Sequence, residues 1–332
     1  MKIYWKDIDE SGDSWAGLAV NVQSTTKPLF HLQTGVNSRI RMSVGKTTVF
    51  WATLARDYGG VWVIKSLEEN RADCAPVKPI TSSDIEARAN LTELESLRSW
   101  ACFFAVELSQ NSASFLYDGL WLFSAYIPSE KKDWSYVPIG KSRYIGKSSV
   151  YGVKEAITDE EIVWIDWWFN GSNELVSIRI PNEESGRVKW WRKKVKEKKL
   201  PPILVWYLNC LDAYIIVDGH ERLLASVLEN VPPPIIVVYS AEEMDVSMDK
   251  KVQERIVAAL SNRDSTDKRK PMPVERINEV LIQAFDNRPV TFSKTLGWAT
   301  ITSENIWVNE VSEHLSKIHR SDMLEDIVSR EG

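Results

Sequence analysis

The stretch Ala213-Tyr-Ile-Ile-Val-Asp218-Gly219-His220-Glu221-Arg222-Leu-Leu-Ala225 constrains the chain most tightly. Its first five residues are apolar and read as a buried strand, and residues 221–229 read as a helix. A helix leaving a strand through one glycine directs its free N–H groups, and its positive dipole end, at whatever lies over the turn. Gly219 lets a ligand approach the backbone. Arg222, one turn into the helix, reaches the same place with a fork of donors suited to phosphate. Asp218 reads as the N-cap or as a metal-facing carboxylate, and His220 as a donor or acid–base group at the mouth. The plainer alternative is an Asp N-cap with an incidental surface His and Arg, because α/β proteins contain many strand–glycine–helix turns.

The surrounding pattern supports a small α/β unit. Residues 161–169 and 174–180 read as strands around a 170–173 turn. A polar helix follows over 185–199 and is stopped by Pro201-Pro202. Two short apolar strands, 203–207 and 213–217, flank the motif's approach, and Pro232-Pro233-Pro234 leads into a strand over 235–239. Before this unit the chain is aromatic and β-branched. A helix is expected over 83–97, then a hairpin of strands 100–108 and 114–126 turning at 109–112. After residue 240 the pattern is helical, over 249–260, 274–285 and 306–318. The expected class is therefore α+β: a β-rich region over 1–165, a central α/β module over 166–240 and a helical region over 241–332. A length of 332 residues fits that division.

Asp-Gly-His-Glu-Arg at 218–222 with Ala225, preceded by Ser177-Ile-Arg-Ile-Pro181, Pro201-Pro202 and the 213–217 strand, resembles the ParB/sulfiredoxin-like superfamily. The resemblance covers about residues 174–240. There a Gly-x-x-Arg turn opens a helix onto a nucleotide, so Gly219 and Arg222 are implied to contact the phosphates of ATP or another NTP. The Asp-Gly-His-x-Arg form is similar to members that phosphorylate small molecules, such as free serine kinases. That implies phosphoryl transfer with Mg²⁺, with Asp218 orienting the metal or His220. Sulfiredoxins carry their catalytic cysteine where this chain has His220, which argues against peroxiredoxin repair. ParB partition proteins carry a more arginine-rich box and a following helix-turn-helix. Neither is recognisable here, which argues against DNA partition.

In the related kinases a carboxylate near Glu183 or Glu184 is implied as the base that takes the substrate's hydroxyl proton. Read on their own, these two glutamates are solvated residues beside a helix start, favourable there through the dipole. Ser185 is a fair N-cap, and Arg187 or Lys189 could line the phosphates. The segment 189–199 holds seven basic residues and one acid. It reads as an amphipathic helix burying Trp190, Trp191 and Val195, in preference to a nucleic-acid surface. A net charge of -5 supports that preference.

Gly45-Lys46-Thr47 and Gly146-Lys147-Ser148 look like ends of phosphate-binding loops but lack the first glycine at the required spacing. Three dispersed cysteines exclude a disulfide framework, and four histidines leave little for a metal site. His314 and His319 read as surface residues. With no signal segment or long apolar run, a cytoplasmic protein without a membrane span is expected. The competing reading is a catalytically silent scaffold that binds a protein partner through Trp-rich flanks, since tryptophan is a favoured interface anchor.

Overall fold

The computed structural model describes the chain outside residues 11–13, 25–26, 67–74, 111–114, 129–148, 151, 158–159, 168–172, 246–248, 267–272, 286–289 and 332. The Gly146–Ser148 near-motif lies outside the described residues.

The strands begin with β1 (Lys2–Glu10), β2 (Ser14–Gln23), β3 (Phe30–Thr34), β4 (Arg39–Val44), β5 (Thr47–Leu54) and β6 (Gly60–Lys65). They continue with β7 (Gly119–Pro128), β8 (Ser149–Val150), β9 (Ile162–Asp166), β10 (Glu174–Val176) and β11 (Ile203–Leu208). The last are β12 (Ala213–Asp218), β13 (Ile235–Met244), β14 (Val290–Ser293) and β15 (Gly297–Thr300). The helices are α1 (Ser82–Glu86), α2 (Glu93–Gln110), α3 (Gly186–Lys196) and α4 (His220–Leu228), followed by α5 (Lys250–Thr266), α6 (Val274–Phe285), α7 (Glu304–Lys317) and α8 (Leu324–Ser329).

The class is α+β, built on two mixed sheets. One runs β1-β2-β7-β13-β11-β12-β10, with β14 on β13 and β8 on β7; the other runs β15-β3-β4-β5-β6-β9. In the first sheet β11 and β13 are parallel, Ile203 facing Ile235, whereas β11 and β12 are antiparallel. The apolar runs Ile203–Leu208 and Ala213–Val217 are buried on both faces, which explains their unbroken hydrophobicity. One core packs Trp121, Trp206, Ile215 and the α2 residues Trp100 and Phe104 together with Phe50 and Val63 of the second sheet. A smaller core on the opposite face gathers Tyr207, Tyr214, Tyr239 and Leu223.

Several sequence expectations are corrected. Residues 100–108 are not a strand: they belong to α2, whose Trp100, Ala101, Phe104, Ala105 and Leu108 are buried at helical spacing. The aromatic content that suggested β structure is the apolar stripe of a helix. The expected helix over 83–97 is divided between α1 and the start of α2. The segment after residue 285 contains β14, which joins β13, and β15, which joins β3. Strands β1, β2 and β7, from the N-terminal region, share one continuous sheet with the central strands. His314 is buried, its Nε2 3.0 Å from the Lys65 carbonyl oxygen and 3.0 Å from Glu161 Oε2. His319 is exposed. Among the described residues no helix is long and apolar enough to cross a membrane.

Candidate functional site

Strand β12 ends at Asp218, and α4 begins at His220 with Gly219 as its N-cap residue. Gly219 adopts φ +105°, left-handed backbone that glycine tolerates and other residues resist. Asp218 therefore does not cap the helix. Its Oδ2 lies 2.7 Å from Arg222 Nη2, which also donates to the Pro202 carbonyl oxygen at 3.0 Å. The guanidinium folds back over the turn: a Cβ placed on Gly219 would stand 2.7 Å from Arg222 Nη2.

Arg222 is 3% exposed, and its Nε is buried without a hydrogen-bond partner. His220 is not at an open mouth. It is 4% exposed, and its Nε2 is likewise buried and unpartnered. Burial, helped by the charges of Arg179 and Arg222, holds its pKa well below the usual histidine value, so the ring is neutral near pH 7.

Three further groups complete the neighbourhood. Arg179 Nη2 reaches both carboxylate oxygens of Glu221, at 2.9 and 3.1 Å. Trp191, on the buried stripe of α3, holds two guanidinium groups over its ring: Arg187 at 4.7 Å and Arg222 at 5.4 Å from the centroid. Burial, and then the nearby Arg222 charge, lowers the Arg187 pKa. Arg187 Nη2 donates to the Ile80 carbonyl oxygen. With His220 neutral, the cations Arg179, Arg187 and Arg222 against Asp218 and Glu221 leave the cluster one positive charge. Arg179, Trp191 and the Pro202 carbonyl are the members that the motif did not identify, because nothing local marks them as neighbours of α4.

Ser185 caps α3 as expected, accepting from the Val188 N–H at 3.2 Å. Glu183 is exposed, and Glu184 is paired with Lys189 at 2.7 Å, which holds its carboxyl below the usual range. Neither glutamate contacts Asp218, His220 or Arg222. Arg192 and Lys196 pair with Glu229, and Lys194 pairs with Glu197, so much of the basic helix is internally compensated. Val188, Trp191 and Val195 form its buried stripe.

Phosphate fits these donors better than a metal does. A buried, unpartnered guanidinium nitrogen beside a helix N-terminus is a donor set suited to an anion. Among the described residues no three His, Cys, Asp or Glu side chains come together to hold a metal ion, and the Asp218 carboxylate is engaged by Arg222. Gly45 to Thr47 form a hairpin turn and strand start between β4 and β5, with no following helix.

No family model, curated protein or solved structure matches the chain.

Proposed function

We propose that the protein binds a nucleotide or related phosphate-bearing ligand at the start of α4, through the ParB/sulfiredoxin-like arrangement of residues 174–240. One observation carries this reading: Arg222, almost wholly buried, keeps an unpartnered Nε beside the left-handed Gly219 at the helix N-terminus. Leaving such a donor unsatisfied costs about 1–3 kcal/mol, a cost that an incoming phosphate oxygen offsets. Gly219 and the α4 backbone would receive the phosphates, Arg222 would neutralise charge and Arg187 would flank them. His220, neutral, would donate or accept one hydrogen bond. Mg²⁺ would need the phosphates themselves as its principal ligands. Glu183 and Glu184 stand apart from this cluster, so the reading is binding, without a phosphoryl-transfer step assigned to either. A cytoplasmic nucleotide supply would suit such a site.

The second reading, a silent scaffold that binds a protein partner, is favoured by the same guanidinium. Arg222 lies against Gly219 and already engages Asp218 and Pro202. Neither of two cavities in the structure, of about 690 and 410 Å³, is lined by Gly219, His220 or Arg222. The Trp-rich flanks lend it less: Trp5 is the one exposed tryptophan among the described residues.

Calorimetric titration with ATP, ADP, CTP, GTP and pyrophosphate, with and without Mg²⁺, separates the two. The phosphate reading expects salt-sensitive binding that Arg222→Lys, which keeps the charge but loses the fork, weakens by about tenfold. No binding by any of these ligands would leave the scaffold reading standing.

A further inference from the structure

The cavity of about 690 Å³ lies away from the phosphate cluster, separated from it by Pro202, which lines the cavity and whose carbonyl oxygen receives Arg222. Its volume falls within the range of small-molecule sites. The walls are apolar, from Leu97 and Trp100 of α2 to Leu200, ahead of β11, and Ile235 at the start of β13. Leu91 (39% exposed) and Val231 (44%) leave apolar surface uncovered on its lining. The charges are one-sided: Arg88, Lys198 and Lys199 line the cavity against the single acid Glu93.

Two features indicate that these cations are placed there by the fold. Lys198 adopts φ +55° at the end of α3, a position where glycine is strongly preferred. The Lys199 N–H closes the turn onto the Lys194 carbonyl oxygen at 2.9 Å. A lysine holding left-handed backbone is strained, and here the strained residue and its neighbour both line the cavity, neither ion-paired among the described residues. Arg88 lies over the Trp100 ring at 4.1 Å, with its Nε buried and without a partner. Helix ends do not cancel this charge. The C-termini of α3 and α4 each contribute roughly half a negative charge, and Asp84 and Glu197 act on Arg88 and Lys199 from beyond the lining, whereas the lining itself keeps three cations against one acid.

We infer that this cavity binds an amphipathic organic monoanion, an aliphatic chain bearing a carboxylate, with the chain against Leu97, Trp100, Leu200 and Ile235 and the head group at Lys198, Lys199 and Arg88. Charge complementarity selects the anion, and the aliphatic lining selects the chain. This inference is independent of the phosphate reading.

The test is calorimetric titration of the full chain with decanoate and with decyltrimethylammonium, both as monomers. Decanoate should bind at least about tenfold more tightly than the cation of equal chain length. Ala89→Trp, at an exposed position on the cavity lining, should abolish binding by filling the space. Lys198→Gly with Lys199→Gln should weaken decanoate by about tenfold or more while leaving the melting temperature unchanged or raised, because glycine relieves the left-handed strain. Arg222→Lys should leave decanoate binding unaltered, which keeps this result separate from the nucleotide titration. Equal binding of the two amphiphiles, undiminished binding by Ala89→Trp, or binding to phospholipid vesicles with none to monomeric decanoate would overturn the inference.

Discussion

Arg222 Nη2 and Asp218 Oδ2 stand 2.7 Å apart across one turn, so the arginine at the start of α4 is held by the last residue of the strand that leads into it. The pair fixes the guanidinium over Gly219 and leaves its Nε free. Any anion arriving at this helix end competes with Asp218 for the same cation.

Asp218→Asn should therefore act in opposite directions on stability and on binding. Removing the carboxylate charge from a pair whose arginine is almost wholly buried should cost about 1–3 kcal/mol, measured by urea denaturation. Phosphate or nucleotide affinity, where present, should rise, because the competing anion is gone. A variant that loses stability without gaining affinity would count against anion binding at this turn.

Gly219→Ala should be destabilised by about 1–3 kcal/mol, since alanine resists φ +105° and its Cβ would meet the Arg222 guanidinium at 2.7 Å. Chemical denaturation reads the cost. Arg222→Ala in the same background tests the cause: with the guanidinium removed, the steric part of the penalty should shrink, leaving the backbone part.

The depressed pKa of His220 gives a pH dependence with a definite sign. The folded state binds the proton less readily than the unfolded chain, whose value is about 6.5, so this contribution is complete above that pH. It declines as the pH falls from there toward the depressed folded value. His220→Gln should flatten that part of the stability–pH curve below about pH 6.5.

Arg39 is 1% exposed and ties the C-terminal helices to the second sheet. It bonds Glu304 and the carbonyl oxygens of Ile327 and Val328, and it lies over the Trp307 ring at 4.4 Å. Arg39→Ala should cost about 3–5 kcal/mol and expose the region after Thr300 to proteolysis before the rest of the chain. Hydrogen bonds from Asn37 and Arg39 hold the Glu304 carboxyl below its usual pKa. Its contribution is thus complete above about pH 4.3 and is lost as the pH falls toward the folded value. Glu304→Gln should remove that acid limb.

The strand, turn and helix at 213–228 were legible in the sequence because their signals are local. An unbroken apolar run, a glycine where the backbone turns left-handed and helical spacing beyond it all lie within a few residues. Ser185 and the burial of Trp191 and Val195 were legible for the same reason, but Val188 completes that stripe and Trp190, expected in it, is only partly buried. Helix α2 was not, because its aromatic residues satisfy the composition of a strand and the periodicity of a helix at once. The strands after residue 285 were not, since β15 lies beside β3 only through a ladder to residues more than two hundred positions away. Most consequential, the sequence supplied Arg222 and a helix end suited to phosphate, and tertiary structure determined what that arginine touches. Trp191, Pro202 and Asp218 converge on it because α3, the approach to β11 and the end of its antiparallel neighbour β12 meet at one end of these strands. Local chemistry fixes which groups a turn offers; only packing over long sequence separations decides which of them remain free to bind.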